Sequence, residues 1–215
     1  MPGITGTLGI REVELRSFTA GGVAIPWRRV WVAPITMAKV LSAPIDGLLG
    51  ADALSDFDID LDLPRHRMAF YDKQSCPDGV PEWAGRNTGI STGRSPSGHL
   101  FFPVQLDGHR IVAIIDTGAQ LSTLSLATAR ALGVTQATLS RDRSMITHGV
   151  AGEQLNSHVH QFAQLEVGSE IIRDPELVVV DVRLRDADIV LGFDFLSSRR
   201  LWLSYESLRL FLSSH

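Results

Sequence analysis

Three consecutive residues, Asp116, Thr117 and Gly118, are the part of this sequence best suited to chemistry. They follow residues 111–115, a run that is mostly β-branched and too short for an ordinary helix, so a buried strand is predicted there. A carboxylate at the end of an apolar strand is costly to remove from water and needs a compensating arrangement. Asp116 is therefore a candidate for acid–base chemistry, and a buried Asp in a structural turn is the alternative interpretation.

The elements that must position Asp116 are predicted to be almost all β. A strand over 100–106 and a return strand over 109–115 are joined by a turn at Asp107 and Gly108. A short helix is expected over 125–132, with Ser125 as its N-cap and Gly133 as its stop. Further strands are predicted around 158–167 and 171–182, followed by a short helix near 194–199 and closing strands near 201–204 and 208–212.

Three segments together resemble a known family. The string VAIIDTGAQLSTLS, residues 112–125, is similar to the active-site segment of the aspartic peptidases, especially the retropepsin-like group. Residues 188–196, DIVLGFDFL, resemble the segment that passes beside the catalytic loop of that family. Residues 146–152, ITHGVAG, lie where the family carries a glycine-containing flap. The resemblance covers about residues 98–213, and it implies a retropepsin-like acid-protease barrel.

The resemblance also implies roles for individual residues. Asp116 would act as general base toward water and general acid toward the leaving amine, in a pair with a second aspartate. The Thr117 hydroxyl would lock the two catalytic loops together, and Gly118 would allow the tight turn that donates to the carboxylate. Asp194 is expected to cap the following short helix. The residues expected to bind substrate, on the loop and the flap, are Ala119, His148, Gly149, Val150, Ala151 and Gly152.

An internal repeat is a second prediction from the sequence. Residues 48–54 align with 190–196 at an offset of 142 (190 − 48), and the alternation of two closing strands continues at that offset. Residues 3–6 align with 149–152 at an offset of 146, and 30–32 align with 177–179 at 147. These matches predict a mainly β protein of two related units, each with a short helix: an incomplete first unit over 1–71, a linker over 72–97, and a complete unit over 98–215.

The first unit lacks a counterpart of residues 98–148. The second aspartate is therefore expected from a missing N-terminal segment or from a homodimer partner, and we favour N-terminal truncation. Because the chain has a single Asp-Thr-Gly, a non-catalytic module of the same fold that binds peptides or proteins is the main alternative. A phosphate-binding α/β enzyme is a weaker one, since that fold needs alternating helices and a glycine fingerprint.

Composition and charge argue against several other partners and locations for this protein. The net charge of −4 and the pI near 5.9 argue against nucleic acid as a partner, and no apolar run reaches the roughly 18 residues of a membrane span. The compartment would be periplasmic or secreted if a missing N-terminus carries a signal peptide, and cytoplasmic otherwise. No cofactor is expected. No metal is expected either, because His158 and His160 share a strand face without further ligands. Residues 89–93 match G-x-S-x-G but lack the strand and helix of a nucleophile elbow.

Overall fold

The computed structural model describes residues 11–26, 29–32, 47–73, 79–84, 89–149 and 153–214. Within these ranges the protein is mainly β, as the sequence predicts. The described helices have at most six residues, so none of them could cross a membrane. The predicted motif over residues 3–6 and the flap residues 150–152 lie outside the described ranges.

The N-terminal part forms two small antiparallel pairs. One joins β1 (Arg11–Glu14) to β4 (Arg29–Val32), and the other joins β2 (Thr19–Ala20) to β3 (Val23–Ala24). They are followed by a short helix, α1 (Ala51–Leu54).

The remaining strands and helices follow in chain order. They are β5 (Phe57–Asp62), β6 (Arg67–Asp72), β7 (Ile90–Ser91), β8 (Gly93–Arg94), β9 (Leu100–Leu106), β10 (His109–Ile115), β11 (Thr123–Ser125), α2 (Leu126–Ala131), α3 (Gln136–Leu139), β12 (Arg143–His148), β13 (Gln154–Gln161), β14 (Gln164–Val167), β15 (Glu170–Arg173), β16 (Glu176–Val180), β17 (Ile189–Leu191), α4 (Phe193–Leu196), β18 (Arg199–Ser204) and β19 (Arg209–Ser214).

A ten-stranded sheet is formed by strands that lie within residues 93–191. Its order is β12-β13-β16-β11-β17-β10-β9-β14-β15, and β8 pairs with β9 beside this path. The predicted hairpin of β9 and β10 is confirmed: Asp107 and Gly108 both have positive φ, at 49° and 76°, as a two-residue hairpin turn requires. Alternate residues of β9 are buried, which turns one face of that strand toward the core.

The predicted helix with Ser125 at its start is also confirmed. The Ser125 hydroxyl accepts a hydrogen bond from the Thr128 N–H at 3.1 Å, which satisfies one of the free donors of the first turn. The strands predicted over 158–167 and 171–182, in contrast, are each two strands. The first pair is separated at residues 162–163 and the second at 174–175, where Asp174 has φ of 52° and Pro175 cannot donate to a ladder.

A five-stranded sheet joins the first part of the chain to the last. Its order is β6-β5-β18-β19-β7, so β5 pairs directly with β18, which follows it by more than 130 residues, and β7 lies within the segment predicted to be a linker. One face is apolar and packs on the main core through Leu61, Leu201 and Leu210. The other face carries the charged side chains of β5, because successive side chains of a strand point to opposite faces of the sheet.

Three buried aspartates, Asp58, Asp60 and Asp62, alternate on that charged face of β5. The Asp60 carboxylate accepts two hydrogen bonds from the Arg200 guanidinium, at 2.9 and 2.6 Å, which compensates for the burial of its charge. In Asp58, Oδ1 has no hydrogen-bond partner among the described residues. Burial raises the pKa of Asp58 above its ordinary value, and a hydrogen bond from Ser204 offsets part of this rise.

The pairing of β5 with β18 is symmetric about one position. Asp60 faces Trp202, and 60 plus the offset of 142 is 202. On either side, Ile59 faces Leu203 and Leu61 faces Leu201. The offset of 142 converts each of these two pairs into the other. The bounds of β5 and β18 also differ by 142 residues, as do those of β6 and β19 and those of α1 and α4. Under this offset, the register of β5 with β18 is therefore symmetric about the Asp60 and Trp202 pair.

Candidate functional site

Asp116 lies directly after β10, at the end of the run that predicts the strand. β10 pairs with β9 on one side and runs parallel to β17 on the other, with Ile115 facing Leu191. The Asp116 N–H continues this ladder by donating to the Leu191 carbonyl at 3.1 Å. The backbone of Asp116 is therefore fixed by the sheet, while its side chain lies at the open end of the strand.

A tight turn holds the carboxylate. The Gly118 N–H donates to Asp116 Oδ1 at 2.8 Å, and the Ala119 N–H donates to the Asp116 carbonyl at 3.2 Å. A Cβ on Gly118 would come 3.1 Å from the same Oδ1, so any side chain there would crowd the carboxylate. Asp116 is half-buried, whereas Thr117 and Gly118 are exposed. Among the described residues, no hydrogen bond reaches Oδ2, which leaves that oxygen available to a ligand.

The loop after this turn is clamped by the start of α4. The Phe193 N–H donates to the Ala119 carbonyl at 2.7 Å, and the Asp194 N–H donates to the Gln120 carbonyl at 3.1 Å. Such close approach requires Gly192, because a Cβ there would lie 2.8 Å from the Ala119 carbonyl oxygen and from the backbone of Leu121. The free N–H groups in the first turn of α4 thus donate to carbonyl groups of the Asp116 loop.

The expectation that Asp194 caps the following helix is wrong, because the N-cap of α4 is Gly192 and Asp194 lies in the first turn. Its carboxylate accepts the N–H of Phe195 at 2.8 Å, but it also accepts both the N–H and the hydroxyl of Ser122, at 2.9 and 2.7 Å. The Ser122 hydroxyl in turn accepts the Gly192 N–H at 3.1 Å. Because Ser122 is buried, these bonds fix the far end of the Asp116 loop to α4. The sequence offers no local signal for this contact, since the two residues are 72 positions apart.

Asp188 is a second supporting residue that sequence reasoning missed. Its Oδ2 accepts the Val112 N–H at 2.9 Å, and its Oδ1 accepts the Thr128 hydroxyl at 3.1 Å. The carboxylate therefore ties the middle of β10 to the first turn of α2. An acidic residue immediately before an apolar strand is the signal that could have drawn attention to it.

The predicted flap corresponds to the hairpin of β12 and β13. The Gly149 N–H donates to the Glu153 carbonyl at 2.9 Å, which closes the loop whose tip, Val150 to Gly152, lies outside the described residues. His148 is exposed at the end of β12. No hydrogen bond joins His148 or Gly149 to Asp116 among the described residues. A cavity of about 400 Å³ lies on this hairpin and is lined by Ser144, Met145, Ile146, Asn156, Ser157 and His158.

The neighbouring histidines form contacts within the protein. His160 Nδ1 lies 2.7 Å from an Asp142 carboxylate oxygen, and the His160 ring packs edge-on against Phe162 with the centroids 4.7 Å apart. His158 Nδ1 lies 3.5 Å from the Ser144 hydroxyl. Across the described ranges, no three His, Cys, Asp or Glu side chains are grouped so as to hold a metal ion.

Comparison with known proteins finds a matching family model and similar proteins. Residues 102–198 match the family model described as gag-polyprotein putative aspartyl protease. The UBA domain-containing protein Mud1 of Schizosaccharomyces pombe is 30% identical over 108 residues, which are 50% of this chain and 31% of that protein. The chain thus spans about a third of the length of that curated relative.

Two solved structures show a likeness at lower identity. A retropepsin-like aspartic protease from Rickettsia conorii is 16% identical, with a TM-score of 0.43, over 58% of this chain and 89% of that one. Conglutin gamma, a basic 7S globulin from lupine seeds, is 16% identical, with a TM-score of 0.48, over 96% of this chain and 68% of that one. Both TM-scores lie below 0.5, so no conclusion about function follows from these two structures.

Proposed function

We propose that this protein, whose residues 102–198 match the family model described as gag-polyprotein putative aspartyl protease, is an aspartic endopeptidase in which Asp116 supplies one of two catalytic carboxylates. The observation that carries the proposal is the geometry of Asp116: a carboxylate at the open end of a buried strand, held at Oδ1 by the Gly118 N–H at 2.8 Å. The turn orients the acid without neutralising it.

The proposed chemistry needs a second carboxylate beside Asp116. Two carboxylates in contact cannot both ionise, so they share a proton and titrate as a pair. The ionised member takes a proton from the attacking water, and the protonated member gives one to the leaving amine. Thr117 and Gly118 would form the contact with the loop that carries the second acid, which is consistent with the exposure of both residues.

Peptide substrate would lie between this loop and the flap, in extended form, with main-chain hydrogen bonds of the kind that an added strand makes. Ala119 on the loop and His148 to Gly152 on the flap are the residues proposed to contact it. The clamp formed by Gly192, Asp194 and Ser122 supports this proposal, because a catalytic loop must hold its geometry closely while the substrate moves past it.

The proposal includes two related units, over residues 1–71 and 98–215. Its support is the agreement of strand register. At an offset of 147, the pairing of Glu12 with Trp31 corresponds to that of Val159 with Val178. The hairpin of β2 and β3 corresponds in the same way to that of β14 and β15, with a positive-φ glycine after β2 and after β14.

The test is cleavage of an unbiased peptide library by the natural gene product and by its Asp116→Asn variant. We expect the variant to lose about 10²–10⁴-fold in rate, because it cannot transfer the proton. Asp174→Asn is the matched control: it removes an exposed carboxylate at a turn that asparagine also accepts, and it should retain activity. Equal cleavage by the Asp116→Asn variant and the parent would contradict the assignment.

A non-catalytic module that binds peptides remains the second candidate, and it is favoured by the single Asp-Thr-Gly in 215 residues. Tight binding of library peptides without any cleavage, equally in the parent and in Asp116→Asn, would support this candidate over the peptidase.

A further inference from the structure

The helix α4, which clamps the Asp116 loop, is too short to be stable by itself. It has four residues, whereas an isolated helix is marginal in water even at about 12–15 residues. The N–H groups with which α4 holds the loop therefore depend on contacts that fix the helix from outside. The start of α4 is fixed by β17, which leads directly into Gly192. The end of the helix needs a separate contact.

Arg199, at the start of β18, makes this contact at the end of α4. Its Nη1 donates to the Phe195 carbonyl, and the last carbonyl groups of a helix have no partner within the helix. The guanidinium carbon also lies 3.9 Å from the centroid of the Phe195 ring, within the range of a cation–π interaction. Because Arg199 is buried, water competes little for either contact.

Glu170 in β15 fixes the orientation of this guanidinium. Nε of Arg199 donates to one Glu170 carboxylate oxygen at 3.0 Å and Nη2 donates to the other, so the pair is bidentate. This geometry leaves Nη1 for the Phe195 carbonyl. β15 pairs with β14, β14 with β9, and β9 with β10, the strand that leads into Asp116. Arg199 therefore joins the end of α4 to the sheet that positions Asp116.

We infer that Arg199 and Glu170 are positioning residues, which hold the Asp116 loop in place through α4. The start of α4 donates the N–H groups of Phe193 and Asp194 to the loop, and its end accepts Arg199. If the end of so short a helix moves, the two donors at its start move as well. Among the described residues, neither positioning side chain forms a hydrogen bond with the loop itself. The effect of this contact on activity rests on the proposed function.

The next residue, Arg200, provides a matched comparison on the same strand. Its guanidinium also forms a bidentate pair, with Asp60 at 2.9 and 2.6 Å, and it also lies near an aromatic ring, 4.9 Å from the centroid of Trp83. Successive side chains of β18 point to opposite faces, so Arg200 points away from Arg199. Within the described ranges, the Arg200 guanidinium makes no hydrogen bond with α4. Arg200→Met therefore breaks the same kind of ion pair without releasing α4.

Hydrogen exchange of backbone amides tests the inference without a substrate. The exchange rates of the Phe193 and Asp194 N–H groups are measured relative to that of Ala113, which lies in a strand paired on both sides. We expect these relative rates to be at least about tenfold higher in Arg199→Met and in Glu170→Gln than in Arg200→Met. Equal relative rates in the three variants would overturn the inference. Glu170→Gln retains the buried arginine, so it gives a result even if Arg199→Met fails to fold.

Steady-state kinetics with a peptide that the parent cleaves test the effect on the site. We expect Arg199→Met to lower kcat by about tenfold or more and to change KM by less than about twofold, because a displaced Asp116 impairs the chemical step. Arg200→Met should keep the kcat of the parent. Equal kcat values for Arg199→Met and Arg200→Met would overturn the inference.

The double variant separates one shared contact from two independent ones. Arg199→Met combined with Glu170→Gln should lower kcat no further than the more damaging single change, because both break the same connection to α4. Losses of kcat that multiply would contradict the inference. Failure of the proposed function would appear separately, as equal cleavage by the parent and Asp116→Asn, and the exchange rates would then decide whether Arg199 holds the loop.

Discussion

We expect Gly192→Ala to disrupt the site, although it adds only one methyl group. A methyl group added there would lie 2.8 Å from both the Ala119 carbonyl oxygen and the Leu121 carbonyl carbon. Both are backbone atoms, so no side-chain rotation can relieve the collision. The loop after Asp116 must move away from α4, or α4 must move away from the loop.

The expected cost follows from what that movement breaks. Forcing an extra methyl into a packed site costs about 1–3 kcal/mol. Separation of the loop from α4 also breaks the bonds from Phe193 N–H to Ala119 and from Asp194 N–H to Gln120, at about 0.5–1.5 kcal/mol each. Gly192→Ala should therefore lower the free energy of unfolding by about 2–6 kcal/mol. It should also lower peptidase activity, because Asp116 lies on the displaced loop.

Gly50→Ala is a matched control within the same chain. Gly50 has the same backbone angles and the same place before a four-residue helix, so the intrinsic cost of replacing glycine with alanine is the same at both positions. Its methyl group would meet only Oδ1 of Asp52, a side-chain end that can rotate away. We expect a change within about 0.5 kcal/mol, which makes the difference between the variants a measure of the loop contact alone.

Urea unfolding followed by circular dichroism provides the measurement, with the midpoint and the slope reported for each variant. A Gly192→Ala variant as stable as Gly50→Ala would refute the reasoning, because it would mean that the loop is not held against α4. A change in slope without a change in midpoint would also count against it, since the predicted effect is on the native state.

Two further predictions concern the carboxylates. Asp194→Ala should cost about 2–4 kcal/mol of unfolding free energy, because it leaves the buried N–H and hydroxyl of Ser122 without their acceptor; a cost below 1 kcal/mol in urea unfolding would contradict this. Burial raises the pKa of Asp58, so the folded protein holds that proton more tightly than the unfolded chain, and stability falls as the pH rises above the ordinary value of 3.8. Asp58→Asn should therefore gain stability relative to the parent between pH 4 and pH 7, and a pH-independent difference would exclude this cause.

The sequence was sufficient to predict the local features of the site. The β-branched run before Asp116 is too short for a helix, which correctly predicts that Asp116 follows a strand. The predicted hairpin turn is confirmed because Asp107 and Gly108 both have positive φ, which these residue types tolerate. The family resemblance of residues 102–198 is confirmed as well. The roles of Thr117 and of the flap stay predictions.

Long-range contacts were beyond sequence reasoning, for a physical reason. Asp194 and Ser122 meet only because β17 runs beside β10 and brings α4 to the loop, and a hydrogen bond between distant residues leaves no periodicity in either segment. The break at 162–163 has no local signal, because the apolar residues Phe162 and Ala163 continue across it, whereas the break at 174–175 falls at Asp174 and Pro175. Pro175 is the local signal for the second break, because proline cannot donate to a β ladder.

The pairing of β5 with β18 has a consequence for synthesis. Arg199 follows Asp62 by 137 residues (199 − 62), so at about 5–20 residues per second β5 leaves the ribosome roughly 7–27 s before its partner strand exists. During that time β5 has an unpaired edge, which is a template for aggregation. Asp58, Asp60 and Asp62 give this strand three negative charges, and charged side chains on an edge strand disfavour its pairing with other chains. When β18 pairs with β5, the Arg200 guanidinium neutralises the central charge, that of Asp60. The carboxylate that protects the unpaired strand during synthesis therefore forms an ion pair in the folded sheet.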